Sequence, residues 1–164
     1  MVRASNFFEG SAIIIGIGEY HIGEEPKATI GLGSCVAVIL HDESRGIGAM
    51  AHVMLPESNG RSDRPGKYAD TAVPLLVDGL CALGCRQPNI HAKLVGGASM
   101  FAFFGNNLNI GERNIKAIKE VLEAKRIRVT GEVTGGNVGR SVMYNPSGHG
   151  KVNIKRADGT CQEI

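Results

Sequence analysis

The chain has 164 residues, 43% hydrophobic and 21% charged, which are the proportions of a globular domain, not of a disordered or membrane-embedded chain. Lys and Arg number 18 against 16 Asp and Glu, a formal charge of +2 with no basic block, so nothing marks a nucleic-acid partner. The apolar run Ala12–Ile15 is too short for an export signal or a membrane span, and a cytoplasmic protein with reduced thiols is expected.

In chain order, residues 12–18 (AIIIGIG) read as a buried strand, and 19–27, with Gly23 and Pro26, as a loop. Two strand-like runs follow, Ser34–His41 and Ile47–Leu55, separated by the turn-forming stretch 42–46 (DESRG). The breaker-rich ESNGRSDRPGK at 57–67 predicts an exposed loop. Residues 70–83 predict a helix, with Ala72, Val73, Leu76, Leu80 and Leu83 on one stripe, Asp70 as N-cap and Pro74 near the first turn.

His91–Val95 reads as a short strand ending in Gly96-Gly97, and 111–125 as a second amphipathic helix with Ile115, Ile118 and Leu122 on its apolar face. From 127 to 154, strand-like runs alternate with Gly/Asn turns. Strands dominate and two helices interrupt them, so the expectation is one α+β domain over 1–164, with the first 11 residues and the tail from about 157 peripheral.

Of the four cysteines, Cys81 and Cys85 read as small core residues on one helix face, and Cys161 as exposed near the C-terminus. No CxxC or HxxxH spacing supports a metal, and no cofactor motif is present: the GxG of 31–33 opens no helix and the P-loop signature is missing. His41 opens the turn and is expected to be exposed; His149 lies in a loop, and neither these nor His21 and His91 fall in a motif.

The segment TIGLGSC at 29–35 carries the chemistry. Read as extended, it puts Thr29, Gly31, Gly33 and Cys35 on one side, with the two glycines leaving a gap between a hydroxyl and a thiol. A hairpin with a four-residue loop at 42–45 would set Cys35 opposite His52, about 4.5–5.5 Å between Cβ atoms. A loop one residue longer would turn His52 to the other face.

A carboxamide is a poor electrophile. An imidazole beside Cys35 would take the thiol proton, leaving a thiolate–imidazolium pair, and later return that proton to departing ammonia. The Thr29 hydroxyl or a backbone carbonyl would fix the imidazole tautomer, and backbone N–H groups around Gly33, Ser34 and Cys35 are candidate oxyanion donors. On periodicity alone, the competing reading is a cysteine that packs as a small hydrophobe and a histidine satisfied within the core.

The motifs TIGLGSC (29–35), AHVMLP (51–56), KYADTAVPLL (67–76), KLVGGASMF (93–101), IGERN (110–114) and VTGGNVGR (133–140) resemble the CheD family of chemoreceptor glutamine deamidases, in order and over about residues 12–156. That resemblance implies a catalytic set of Cys35, His52 and Thr29, and hydrolysis of glutamine amides on the helical cytoplasmic part of chemoreceptors. It implies a CheC-type phosphatase as a second partner, and a mixed two-sheet α/β sandwich with flanking helices, like the cysteine hydrolase fold of cytotoxic necrotizing factor toxins. From their place after Gly96-Gly97, Met100 and Phe101 would either pack in the core or offer an apolar contact to the substrate helix, and Lys67 and Tyr68 would border a shallow cleft. Two other function classes remain: a cysteine amidase or peptidase with another substrate, and a non-catalytic module that regulates a phosphatase.

Overall fold

Two segments, VAVILHD and IGAMAHV, are buried at every position, because sheets or helices cover them on both faces. They form β4 (Val36–Asp42) and β5 (Ile47–Val53) at the heart of a computed structural model that describes residues 10–99 and 109–164. Around them lie β1 (Ile13–Ile14), β2 (Tyr20–Gly23), β3 (Lys27–Leu32), β6 (Ile90–Gly96), β7 (Arg128–Thr134), β8 (Arg140–Tyr144), β9 (Val152–Arg156) and β10 (Cys161–Glu163). The helices are α1 (Ala69–Ala82) and α2 (Ile110–Ala124).

The strands build two five-stranded sheets, ordered β2-β5-β4-β6-β7 and β1-β3-β8-β9-β10. Strand alternation divides β4 cleanly. Val36, Val38 and Leu40 join Leu76, Leu80, Ile118 and Leu122 in the core under the helices, whereas Ala37 and Ile39 join Val142, Tyr144 and Ile154 in the core between the sheets. The architecture is therefore an α+β sandwich of two mixed sheets, with both helices on the outer face of the β4 sheet. Fully burying one such Leu or Ile is worth about 1.5–3 kcal/mol, so these two layers hold the structure together.

The chain changes sheets between β3 and β4. Gly31 has φ +72°, a left-handed conformation that glycine adopts without Cβ strain, and the β3–β8 register shifts between Thr29 and Leu32. Residues 33–35 then cross from one layer to the other. This corrects the expected single extended face: Thr29 lies on one sheet, and Cys35 stands just ahead of the first strand residue of the other.

The hairpin register also differs. Asp42 pairs with Ile47 around a four-residue loop of 43–46, so Ala37, not Cys35, faces His52. The slip is two residues (37 − 35), an even number, so Cys35 keeps His52's side of the sheet.

Other expectations change as well. The predicted loop 19–27 contains β2, paired antiparallel with β5. Helix α1 is capped at Tyr68 rather than Asp70, and Pro74 lies inside it. The Asp70 carboxylate instead accepts from the Ser58 N–H (3.0 Å) and hydroxyl (3.0 Å), tying the 57–67 loop to the helix.

His41 is buried, not exposed, with Nδ1 2.6 Å from the Tyr144 hydroxyl across the inter-sheet core. Cys81 is exposed; Cys85 is buried but lies beyond the end of α1. Cys161 is exposed on β10, which pairs with β9 at a sheet edge. Among the described residues no helix is long and apolar enough to cross a membrane.

Candidate active site

Thr29 and His52 meet where the two sheets face each other, and Cys35 packs against the same inter-sheet core; burial deepens from Cys35 to Thr29. Cys35 is half-buried, His52 is 2% exposed and Thr29 is fully buried. His52 comes from β5, where the pleat turns Met50 and His52 inward and Ala51 and Val53 toward the helices. Thr29 comes from β3 in the opposing sheet, and Cys35 from the crossover between them.

The hydrogen bonds determine which ring nitrogen of His52 carries its proton. The Thr29 hydroxyl is 2.7 Å from the Ile15 carbonyl and 2.8 Å from His52 Nδ1. A carbonyl can only accept, so the single hydroxyl proton goes to Ile15. The Thr29 oxygen must then accept from Nδ1–H, which leaves the lone pair on Nε2. That Nε2 is buried with no hydrogen-bond partner among the described residues. It is a base without an internal proton source, on the face of the sheet shared with Cys35.

Burial pushes the Cys35 thiol above its ordinary range. Burial also lowers His52, against weaker opposing effects of the Ile15 carbonyl and the Glu19 carboxylate. Both shifts favour the neutral thiol and neutral imidazole. The expected resting ion pair is therefore disfavoured, and the arrangement suits proton transfer in step with attack.

The backbone around His52 is clamped by a short turn at residues 16–19, where a strand was expected through residue 18; the strand itself is only Ile13–Ile14. The His52 N–H donates to the Glu19 carbonyl (3.1 Å), and the Gly18 N–H donates to the His52 carbonyl (2.9 Å). Glu19 Oε2 accepts from the Gly16 N–H at 2.8 Å, which closes the turn.

The predicted oxyanion segment is pinned through its carbonyls. The Ala98 N–H donates to the Gly33 carbonyl (2.9 Å) and the Gly97 N–H to the Cys35 carbonyl (2.9 Å). The Asn114 side chain donates to the Ser34 carbonyl (3.0 Å). These contacts leave the N–H groups of Ser34 and Cys35 without an acceptor among the described residues. Met100 and Phe101 lie outside the described residues. Lys67 sits beside the end of β5, its carbonyl accepting from Met54 (2.8 Å) and Leu55 (3.0 Å), but Tyr68 is a buried core side chain rather than a cleft rim.

Sequence reading missed three contributors: the Ile15 carbonyl, Glu19 and Asn114. A backbone carbonyl leaves no sequence signal. Asn114 did have one, as a polar residue at the end of IGERN among the apolar positions of α2. A groove of about 680 Å³ between α2 and β7 is lined by residues such as Lys119, Arg126 and Glu132, and contains none of the three site residues. Among the described residues no three His, Cys, Asp or Glu side chains converge as a metal site requires.

Comparison with known proteins identifies relatives over most of the chain. A family model described as CheD chemotactic sensory transduction matches residues 54–156, beginning just past His52. The chemoreceptor glutamine deamidase CheD of Thermotoga maritima is 49% identical over 148 residues, covering 89% of this chain and 92% of that protein. The probable chemoreceptor glutamine deamidase CheD of Methanococcus vannielii is 43% identical, covering 88% and 94%. That of Clostridium kluyveri is 42% identical, covering 93% and 97%.

Proposed function

The chain belongs to the CheD family, and from that premise we propose that it hydrolyses glutamine side chains of chemoreceptors to glutamate, with Cys35 as nucleophile, His52 as acid–base and Thr29 as the group that orients the imidazole. The observation carrying this reading is the Ile15–Thr29–His52 chain, which leaves Nε2 deprotonated, and unpartnered among the described residues, on the side of Cys35.

The reaction runs in two halves. As Cys35 Sγ attacks the amide carbon, its proton passes to His52 Nε2, and the C=O electrons move onto oxygen. The imidazolium Nδ1–H is held by Thr29 throughout. The oxyanion collapses, the C–N bond breaks, and His52 returns the proton to nitrogen, so ammonia leaves. Water then gives a proton to Nε2 and attacks the thioester, and the thiolate departs and recovers that proton. The products are a glutamate side chain, ammonia and free enzyme.

The half-buried setting of Cys35 suits a side chain presented from the surface of a receptor helix rather than a threaded peptide. The receptor's cytoplasmic helical region is therefore the proposed substrate, and a CheC-type phosphatase the proposed second partner. Co-sedimentation with such a phosphatase tests the latter; no complex at micromolar concentrations would remove it.

The test of the activity is intact-mass analysis of a receptor cytoplasmic fragment, with ammonia release read in parallel, using wild-type protein and Cys35→Ala. Wild type should give one amide-to-acid mass step per target glutamine, and Cys35→Ala none. Conversion that survives Cys35→Ala would eliminate the thiol mechanism. A peptide-bond cleavage product would favour the peptidase reading.

A further inference from the structure

We propose that Asn114 is a positioning residue: it turns the Ser34–Cys35 peptide so that the backbone N–H of Cys35 stands free to hold the oxyanion. The inference rests on the reading of Cys35 as nucleophile and goes beyond it, since no residue of α2 entered that mechanism.

Asn114 is fully buried, and its side-chain amide makes two donations, to the Ser34 carbonyl at 3.0 Å and the Met54 carbonyl at 2.9 Å. One carbonyl belongs to the residue before the nucleophile; the other lies two residues beyond His52. A single amide thus ties together the two backbone segments that carry the reacting side chains. Across a trans peptide, C=O and N–H point in opposite directions. Holding the Ser34 carbonyl against α2 therefore aims the Cys35 N–H away from α2.

The neighbouring strand leaves that N–H unpaired. Continuing the β4–β6 register one step past Val36↔Gly96 sets Cys35 opposite Gly97, and the Gly97 N–H donates to the Cys35 carbonyl at 2.9 Å. A closely spaced antiparallel pair exchanges two such bonds. Here the return bond is missing. Gly97 has φ +69°, and its carbonyl lies against Gly111 of α2, an approach that a Cβ on Gly111 would block. The Cys35 N–H is left on the residue whose sulfur bonds the attacked carbon, within reach of the oxygen that becomes charged.

The experiment uses Asn114→Ala and Asn114→Asp, the second keeping the shape but losing both donors. Three quantities are read: kcat and KM for ammonia release, folding by near-UV circular dichroism, and the rate and pH profile of Cys35 alkylation by iodoacetamide. Alkylation develops no oxyanion. In whichever variant folds, kcat should fall about 10²-fold, the typical loss of one oxyanion donor, while KM and the alkylation profile stay at wild-type values. Unchanged kcat would overturn the inference. So would a matched fall in kcat and alkylation, or failure of both variants to fold, since either makes Asn114 a purely structural tie. Ammonia release by Cys35→Ala would instead show that the nucleophile assignment is at fault.

Discussion

Replacing Thr29 by Val tests the orienting chain most sharply, because valine keeps the branched shape and deletes only the hydroxyl. Two buried bonds disappear, at 2.7 Å to the Ile15 carbonyl and 2.8 Å from His52 Nδ1. Leaving a buried carbonyl and a buried N–H unpaired costs about 1–3 kcal/mol each, or about 2–6 kcal/mol together. Urea unfolding should register that loss as a lower midpoint at unchanged slope. The catalytic effect has a separate origin. The bond from Nδ1–H to Thr29 strengthens when His52 becomes imidazolium, and a hydrogen bond to a charged group is worth about 1.5–3 kcal/mol. At about 1.4 kcal/mol per tenfold, kcat should fall about 10- to 150-fold in protein that remains folded. The acid limb of the pH–rate profile should move to lower pH, because the imidazolium has lost its acceptor. Thr29→Ser, which retains the oxygen, should recover most of both losses. Wild-type kcat in folded Thr29→Val, or a serine variant no better than valine, would refute the reasoning.

Two further outcomes concern the frame around the site. Gly97→Ala should lower stability by about 1–3 kcal/mol and reduce activity, because φ +69° disfavours a side chain and the new Cβ would collide with Ile115 and the Gly111 carbonyl; chemical denaturation and ammonia release measure the two effects. The His41 site predicts acid sensitivity. His41 is pushed down to about 4, first by burial, then by His91 and Lys93, against Glu43 and Asp42, with Tyr144 packed on its ring. Its folded value lies below the ordinary histidine value of 6.5, so the unfolded chain binds more protons between pH 6.5 and 4, and stability should fall as pH drops through that window. The loss is on the order of 3 kcal/mol below pH 4. His41→Phe should flatten this part of the urea-midpoint profile; an unchanged slope would exclude His41 as its source.

What the chain discloses by itself is local. The apolar runs of β4 and β5, the turn chemistry between them, and the 3.6-residue stripes of α1 and α2 are readable, because strand and helix periods are properties of neighbouring residues. The motifs containing Thr29, Cys35 and His52 are equally visible. Register was only half readable: pleating fixes which face a residue takes, but the turn decides its partner, and Ala37 stands where Cys35 was expected. The strand YHIG at 20–23 hid between breakers, because its pairing with β5, not its composition, makes it a strand. His41 looked like a turn residue until Tyr144, 103 positions away, covered it. Stacking the two sheets brought Thr29 to His52 and supplied the Ile15 carbonyl that dictates the tautomer, while packing of α2 on the outer face of the β4 sheet let Asn114 reach the Cys35 loop. Those contacts span 14 to 80 positions. Nothing in a residue's immediate neighbours encodes a partner so distant; only burial of the sheets against each other and of the helices against the β4 sheet selects it.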